Sequence, residues 1–144
     1  KGKPNNIFPL ITNTAIGSQK EFKINGNDWP TEDGTPIRDY IHVMDLADAH
    51  AQIFEHLLQK ESLCVSLNIG TGKGTSVLNL LKTFEKTNNI KIPYKFSYRR
   101  PGDLAYVVAD NNYALSEFKI FPKRTIQEMC KDSWRWIQLN PKGY

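Results

Sequence analysis

Twelve residues, Asn25 to Pro36, constrain how this chain can fold more than any other stretch. Gly26, Asn27, Asp28, Pro30, Asp33, Gly34 and Pro36 fall within it, and each favours a turn. It is the longest irregular piece of the chain. A loop of that length is uncommon in a compact domain unless it has a task.

Regular elements are expected on both sides of the loop. Ile7 to Ile16 reads as a helix, with apolar residues at 7, 8, 10, 11, 15 and 16 and Gly17 as its stop. A short strand, Glu21 to Asn25, leads into the loop. Beyond it a helix is predicted from about Asp45 to Gln59, capped by Asp45, with Asp48 in the first turn and Leu46, Ala49, Ile53 and Leu57 on one face. Val65 to Ile69 alternates like a strand and ends in Gly70-Thr71-Gly72-Lys73-Gly74-Thr75. A third helix follows from about Ser76 to Lys86, where Val77, Leu81 and Phe84 share a face. A strand near Lys95 to Tyr98 ends at Arg99-Arg100-Pro101-Gly102-Asp103, and a short helix is expected over Asn112 to Phe118. The last helix opens with Thr125-Ile126-Gln127-Glu128, a capping-box pattern, and carries Ile126, Met129, Cys130, Trp134 and Ile137 as its buried stripe. Helices outnumber strands, the strands are short and scattered, and no complete α/β sheet is visible.

Composition excludes several classes. Three Trp, six Tyr and seven Phe among 144 residues argue against disorder. No apolar run approaches the roughly 20 residues needed to cross a bilayer, so no membrane is expected. The net charge is +4, its signs are interleaved, and the densest basic cluster is Arg99-Arg100. That permits a small anionic ligand without demanding nucleic acid. Cys64 and Cys130 read as buried thiols of a reducing compartment, and no second Cys or His falls at metal-ligand spacing. With no glycosylation acceptor, a cytoplasmic location is expected and no metal. The chain starts at Lys1 without an initiator Met, which points to a fragment.

Several motifs have two readings. Gly70 to Thr75 lies between a strand and a helix, where it could cradle a phosphate. It lacks the spacing of a P-loop, and Thr75 stands where a dinucleotide fingerprint needs its third glycine, so a tight turn is favoured. His42, His50 and His56 read as structural or surface residues. Arg38 closes the long loop and Arg100 closes a strand. Each either holds a phosphate with its planar fork or forms ordinary surface ion pairs. Asp103, across a Pro-Gly turn from Arg100, either accepts from two ribose hydroxyls or joins those pairs. Asn5 and Asn6 either cap the first helix or bind an anion at its positive end.

The run Gly26-Asn27-Asp28-Trp29-Pro30-Thr31-Glu32-Asp33-Gly34-Thr35-Pro36-Ile37-Arg38-Asp39-Tyr40-Ile41-His42-Val43-Met44-Asp45-Leu46-Ala47-Asp48-Ala49-His50 closely resembles the UDP-glucose 4-epimerases. So do Pro4-Asn5-Asn6-Ile7-Phe8-Pro9, Asn68-Ile69-Gly70-Thr71-Gly72, Arg99-Arg100-Pro101-Gly102-Asp103 and Trp134-Arg135-Trp136. The likeness covers essentially all of the chain. The long loop is specific to the epimerases among extended short-chain dehydrogenase/reductase proteins, whose dehydratases and decarboxylases have a shorter one. Members of the family also carry a Rossmann half with a glycine-rich NAD loop and a Tyr-x-x-x-Lys pair. Here Tyr40 is followed at that spacing by Met44, Tyr94 by Tyr98, Tyr98 by Gly102, Tyr106 by Asp110 and Tyr113 by Glu117, and Tyr144 ends the chain.

The resemblance therefore implies an α/β fold of which residues 1–144 are the C-terminal, nucleotide-sugar-binding part. That part is mostly helical with a few short strands, and the NAD-binding Rossmann half is absent. No catalytic and no cofactor-binding residue is then expected in this chain. Asn5, Asn6 and Ile7 would contact the UDP-hexose, Lys23, Ile24 and Asn25 would run along the uracil through backbone groups, and Arg38 and Arg100 would bind the diphosphate. Asp103 would bind the ribose at the Pro101-Gly102 turn. Val107 would border the C2 substituent of the sugar, where a small side chain leaves room for an N-acetyl group. In the intact enzyme NAD takes the C4 hydride, the 4-keto sugar turns over, and the hydride returns to the opposite face. A homodimer is expected for that full-length enzyme. Val65 to Ile69 would join the larger sheet of the other half. The alternatives are another UDP-sugar epimerase or dehydratase, or a small basic interaction module.

Overall fold

A computed structural model describes residues 5–59, 62–141 and 143. Lys1 to Pro4, and with them the first residue of the Pro4–Pro9 motif, lie outside the described residues, as does Tyr144. Among the described residues five helices and five short strands follow in the order α1 (Ile7–Ala15), β1 (Phe22–Asn25), β2 (Ile37–Asp39), α2 (Val43–Leu58), β3 (Gly74–Ser76), α3 (Val77–Asn88), β4 (Tyr94–Ser97), β5 (Tyr106–Val107), α4 (Asn112–Phe118) and α5 (Ile126–Leu139).

The strands form two small sheets. β1 pairs with β4 in parallel, Phe22 opposite Tyr94 and Asn25 opposite Ser97. β2 lies between β3, antiparallel to it, and β5, parallel to it, so that Arg38 stands opposite both Thr75 and Val107. The main core is where α1, α3 and α5 meet the first sheet. Ile11, Phe22, Ile24, Leu80, Leu81, Phe84, Ile92 and Cys130 are buried there, with the Trp134 ring edge-on to Phe84. A second cluster, Ala49, Ala114 and Ile120, joins α2 to α4. Burial pushes the Cys130 thiol up to about 12, so it is a packing residue.

Side-chain caps start three of the five described helices, α2, α3 and α5. The Ser76 hydroxyl accepts from the Asn79 N–H, and α3 ends at Asn89 in the left-handed region. Thr125 and Glu128 form the expected capping box, each satisfying a backbone N–H of the other. Gly17, at φ 77°, follows α1 as its stop.

Four expectations are corrected. α2 starts at Val43, two residues early, because His42 is its cap: the Met44 N–H donates to His42 Nδ1 at 3.0 Å. Asp45 is instead buried, accepting from the backbone N–H groups of Lys123 and Arg124 and from the Arg124 guanidinium at 2.5 Å. Val65 to Ile69 is not a strand, since a strand needs a neighbour and none pairs with it among the described residues. Cys64, on that unpaired segment, is exposed rather than buried. The strands β2, β3 and β5 were not expected. They have three, three and two residues, too short for an alternating pattern to register.

Candidate functional site

The long loop is closed by its own polar side chains. The Thr35 N–H and hydroxyl both donate to Asp33 Oδ1, and the Ser76 hydroxyl donates to Asp33 Oδ2. Burial works against the Asp33 charge, yet the Ser76 and Thr35 donors outweigh it and hold the carboxyl below its ordinary range. Thr35 in turn accepts from the Leu78 N–H at the start of α3. The loop is thus tied to α3, and β2 leaves it in a fixed direction.

β2 places Arg38 at the centre of the second sheet. Its Nη1 donates to the carbonyls of Ile37 and Leu104, at 2.7 and 2.9 Å, and its Nη2 lies 3.7 Å from Asp103 Oδ1. Arg100 reaches the same oxygen, with Nη2 at 2.8 Å and Nε at 3.3 Å. The Arg100–Asp103 segment has the features of a type II turn: proline at the second position, Gly102 at φ 84° in the third, and the Asp103 N–H donating to the Arg100 carbonyl at 3.1 Å. Two guanidinium groups around one carboxylate leave a net positive charge. Asp103 raises the Arg100 pKa further through its hydrogen bond. Asp103 is mostly buried, and among the described residues its Oδ2 takes no hydrogen bond. Val107, half-exposed, stands beside Arg38 in register on β5.

The other expected contacts fall on separate elements. The Phe22 N–H donates to the Pro93 carbonyl, just before β4, and the Gly26 N–H to the Ser97 carbonyl, both at 2.8 Å, so strand alternation turns the backbone of Lys23 and Asn25 to the unpaired edge of β1. The Lys23 side chain is exposed and Ile24 is fully buried. The Asn25 amide oxygen accepts from the Ser97 hydroxyl at 3.0 Å, and its carbonyl accepts from the Trp29 indole N–H at 3.1 Å. Asn6 precedes α1 in cap position, but its side chain makes no capping bond, and both Asn5 and Asn6 are exposed. Ile7 packs against the main core. The structure therefore brings Arg38, Arg100, Asp103 and Val107 together. Among the described residues no hydrogen bond or ion pair joins Asn5 or Asn6 to them.

Two residues not expected from the sequence organise this region. The Asp39 carboxylate accepts from the Thr71 N–H at 3.0 Å, the Thr71 hydroxyl at 2.5 Å and the Gly72 N–H at 2.9 Å. The N–H groups that a phosphate would need are thereby occupied, and the Gly70–Thr75 loop is a tight turn rather than an anion cradle. Gly70 is required because a Cβ there would strike Asp39 and Ala109. Arg99 is the second. Its guanidinium lies over the Trp29 ring at 4.2 Å, and its Nε donates to Asp28 at 2.7 Å. The adjacent arginine pair was the only sequence signal for it.

A cavity of about 880 Å3 lies elsewhere. It is apolar, between α1, the start of α2 and α5, and is lined by Phe8, Met44, Met129 and Trp136 among others. Among the described residues no cluster of three or more His, Cys, Asp or Glu could hold a metal ion. None of the described helices is long and apolar enough to cross a membrane.

Residues 1–133 match the sequence profile of the family described as GDP-mannose 4,6 dehydratase. The chain belongs to that family. Within it, the curated relatives it matches include UDP-glucose 4-epimerase of Bacillus subtilis, 46% identical over 99% of this chain and 42% of that protein. Another is UDP-glucose 4-epimerase GEPI42 of Cyamopsis tetragonoloba, 46% identical over 100% of this chain and 41% of that protein. Among solved structures, UDP-glucose 4-epimerase from Bifidobacterium longum in complex with NAD+ and UDP superposes with a TM-score of 0.93 at 40% identity, over all of this chain and 42% of that one. The Stenotrophomonas maltophila enzyme, with bound NAD and formylated UDP-arabinopyranose, gives 0.91 at 40% identity, over 96% of this chain and 41% of that one. The chain spans about two fifths of the relatives' length, and its fold is that of the C-terminal part of the epimerase structures.

Proposed function

We propose that this chain is the nucleotide-sugar grip of a NAD-dependent UDP-glucose 4-epimerase. The observation that carries the reading is the convergence of Arg38 and Arg100 on one carboxylate, Asp103. Two guanidinium forks side by side suit the two charged groups of a diphosphate, and a shielded carboxylate suits a pair of ribose hydroxyls. Lys23 and the Asn25 N–H offer backbone groups to the uracil along the open edge of β1, while Ile24, whose backbone faces β4, supports them from the core. Asn5, Asn6, Ile7, Pro101, Gly102 and Val107 complete the contacts, with Val107 at the hexose. Relatives at 45–46% identity that are named UDP-glucose 4-epimerase, and a neighbour solved with NAD+ and UDP, support the choice of nucleotide sugar.

The described residues do not fit the cofactor itself. The one glycine-rich turn has its N–H groups bonded to Asp39, so no dinucleotide cradle is offered here. NAD, the hydride transfer and the catalytic Tyr-Lys pair belong to sequence outside these 144 residues, and the Val65–Ile69 segment would pair with the sheet that carries them. What this chain does is hold the diphosphate while the hexose turns, a positioning contribution. A homodimer and a cytoplasmic location accompany this reading.

The test is direct. The 144 residues alone are expected to show no epimerase turnover and only weak UDP binding, which Arg100→Ala removes. Turnover by the isolated chain, or UDP binding indifferent to Arg100→Ala, would overturn the proposal.

A further inference from the structure

Adjacent arginines on an extended segment point to opposite sides, and here the two do different work. Arg100 turns to Asp103. Arg99 turns back to the long loop, where its Nε donates to Asp28 Oδ1 at 2.7 Å, its Nη2 donates to the Asp28 carbonyl, and its guanidinium covers the Trp29 ring at 4.2 Å. Trp29 also holds the end of β1, through its indole N–H on the Asn25 carbonyl. Gly26 makes the approach possible, since a Cβ at that position, at φ 87°, would strike both Trp29 and Arg99. The loop itself is held to α3 by Asp33 and Thr35.

We infer that Arg99 is a positioning residue: stacked on Trp29 and bonded to Asp28, it fastens the segment carrying Arg100 and Asp103 to the end of β1, so that the two halves of the proposed nucleotide site keep one spacing. The inference deepens the proposed function and gives the long loop a task. Arg99 touches no ligand in this account. It acts by limiting how far the Arg100–Asp103 turn drifts from Asn25 before a ligand arrives, which reduces the ordering cost of binding.

The experiment reads the clasp with and without ligand, in the 144-residue chain. Without ligand, the Arg100 Nε–H order parameter is measured by NMR. In Arg99→Ala it is expected to fall below about 0.6, the flexible range. In Asp28→Asn, a change at an exposed side chain that spares the fold, it is expected to fall part of the way. With UDP titrated in, Arg99→Ala raises the Kd about fivefold, the scale of one stacked cation with its hydrogen bonds, and Arg99→Lys recovers part of the loss. An Arg100 order parameter unchanged in both Arg99→Ala and Asp28→Asn would overturn the inference, whatever UDP does. If Arg100→Ala leaves UDP binding unchanged while the order parameter responds to Arg99, the clasp stands and the proposed function fails.

Discussion

At the residue scale, single carboxylates organise this molecule, and each is surrounded by donors from distant segments. Asp45 is the most dependent on its partners. Burial opposes its charge, but the backbone N–H groups of Arg124 and Lys123 and the Arg124 guanidinium prevail and hold its carboxyl below the ordinary range. A depressed folded-state pKa contributes stability that is present above the unfolded value of about 3.9 and is lost as pH falls through the depressed value. Asp45→Asn is therefore expected to lower unfolding free energy at pH 7 by about 2 kcal/mol and to flatten the acid limb of a stability–pH curve. An unchanged acid limb in urea melts from pH 6 to 3 would contradict this. These roles were only partly legible. Asp45 looked like a helix cap because it stands before an amphipathic run, but the Nδ1 of His42, a rarer cap, took the position. Arg38, Arg100 and Asp103 were legible as charged residues at element junctions, yet only the resemblance joined them, because residues 38 and 103 meet through long-range folding that local pattern does not carry.

At the scale of elements, long and strongly patterned segments were readable and short ones were not. α3, α4 and α5 lie where their periodicity and caps put them, within two residues. The capping box of α5 rests on four consecutive residues and needs no tertiary information. Thr125→Ala is expected to destabilise the chain by about 1 kcal/mol, measured by thermal or urea unfolding, with the ends of the other helices unaffected. The second sheet was missed because its strands owe their existence to neighbours. β2 pairs on both sides, and Gly74 lets β3 lie close to Ile37, where a Cβ would collide. Val65 to Ile69 shows the converse, an alternating sequence without a partner.

At the scale of the whole molecule, one side is left uncovered. Val43, Met44, Phe54, Leu57 and Leu58 of α2 are exposed, although Leu57 was expected on the buried face, and exposed Val65 lies on the unpaired segment. Apolar surface of this extent on a small chain favours association. The isolated 144 residues are expected to self-associate as concentration rises, and Phe54→Glu with Leu58→Glu to suppress it. A single monomeric species by sedimentation at about 100 μM would contradict the expectation.

The parallel pairings have a consequence for how the molecule is made. Asn25 lies beside Ser97, and Arg38 beside Val107, so in each case roughly 70 positions of chain separate the partners. On a ribosome adding about 5–20 residues per second, the first strand of each pair waits on the order of 4–14 seconds for the second to be synthesised. During that interval β1 has no ladder and β2 has only its antiparallel one with β3, so the proposed nucleotide site stays incomplete. Under the proposed function, nucleotide added to a translation reaction is expected to act only after nearly three quarters of these 144 residues have emerged.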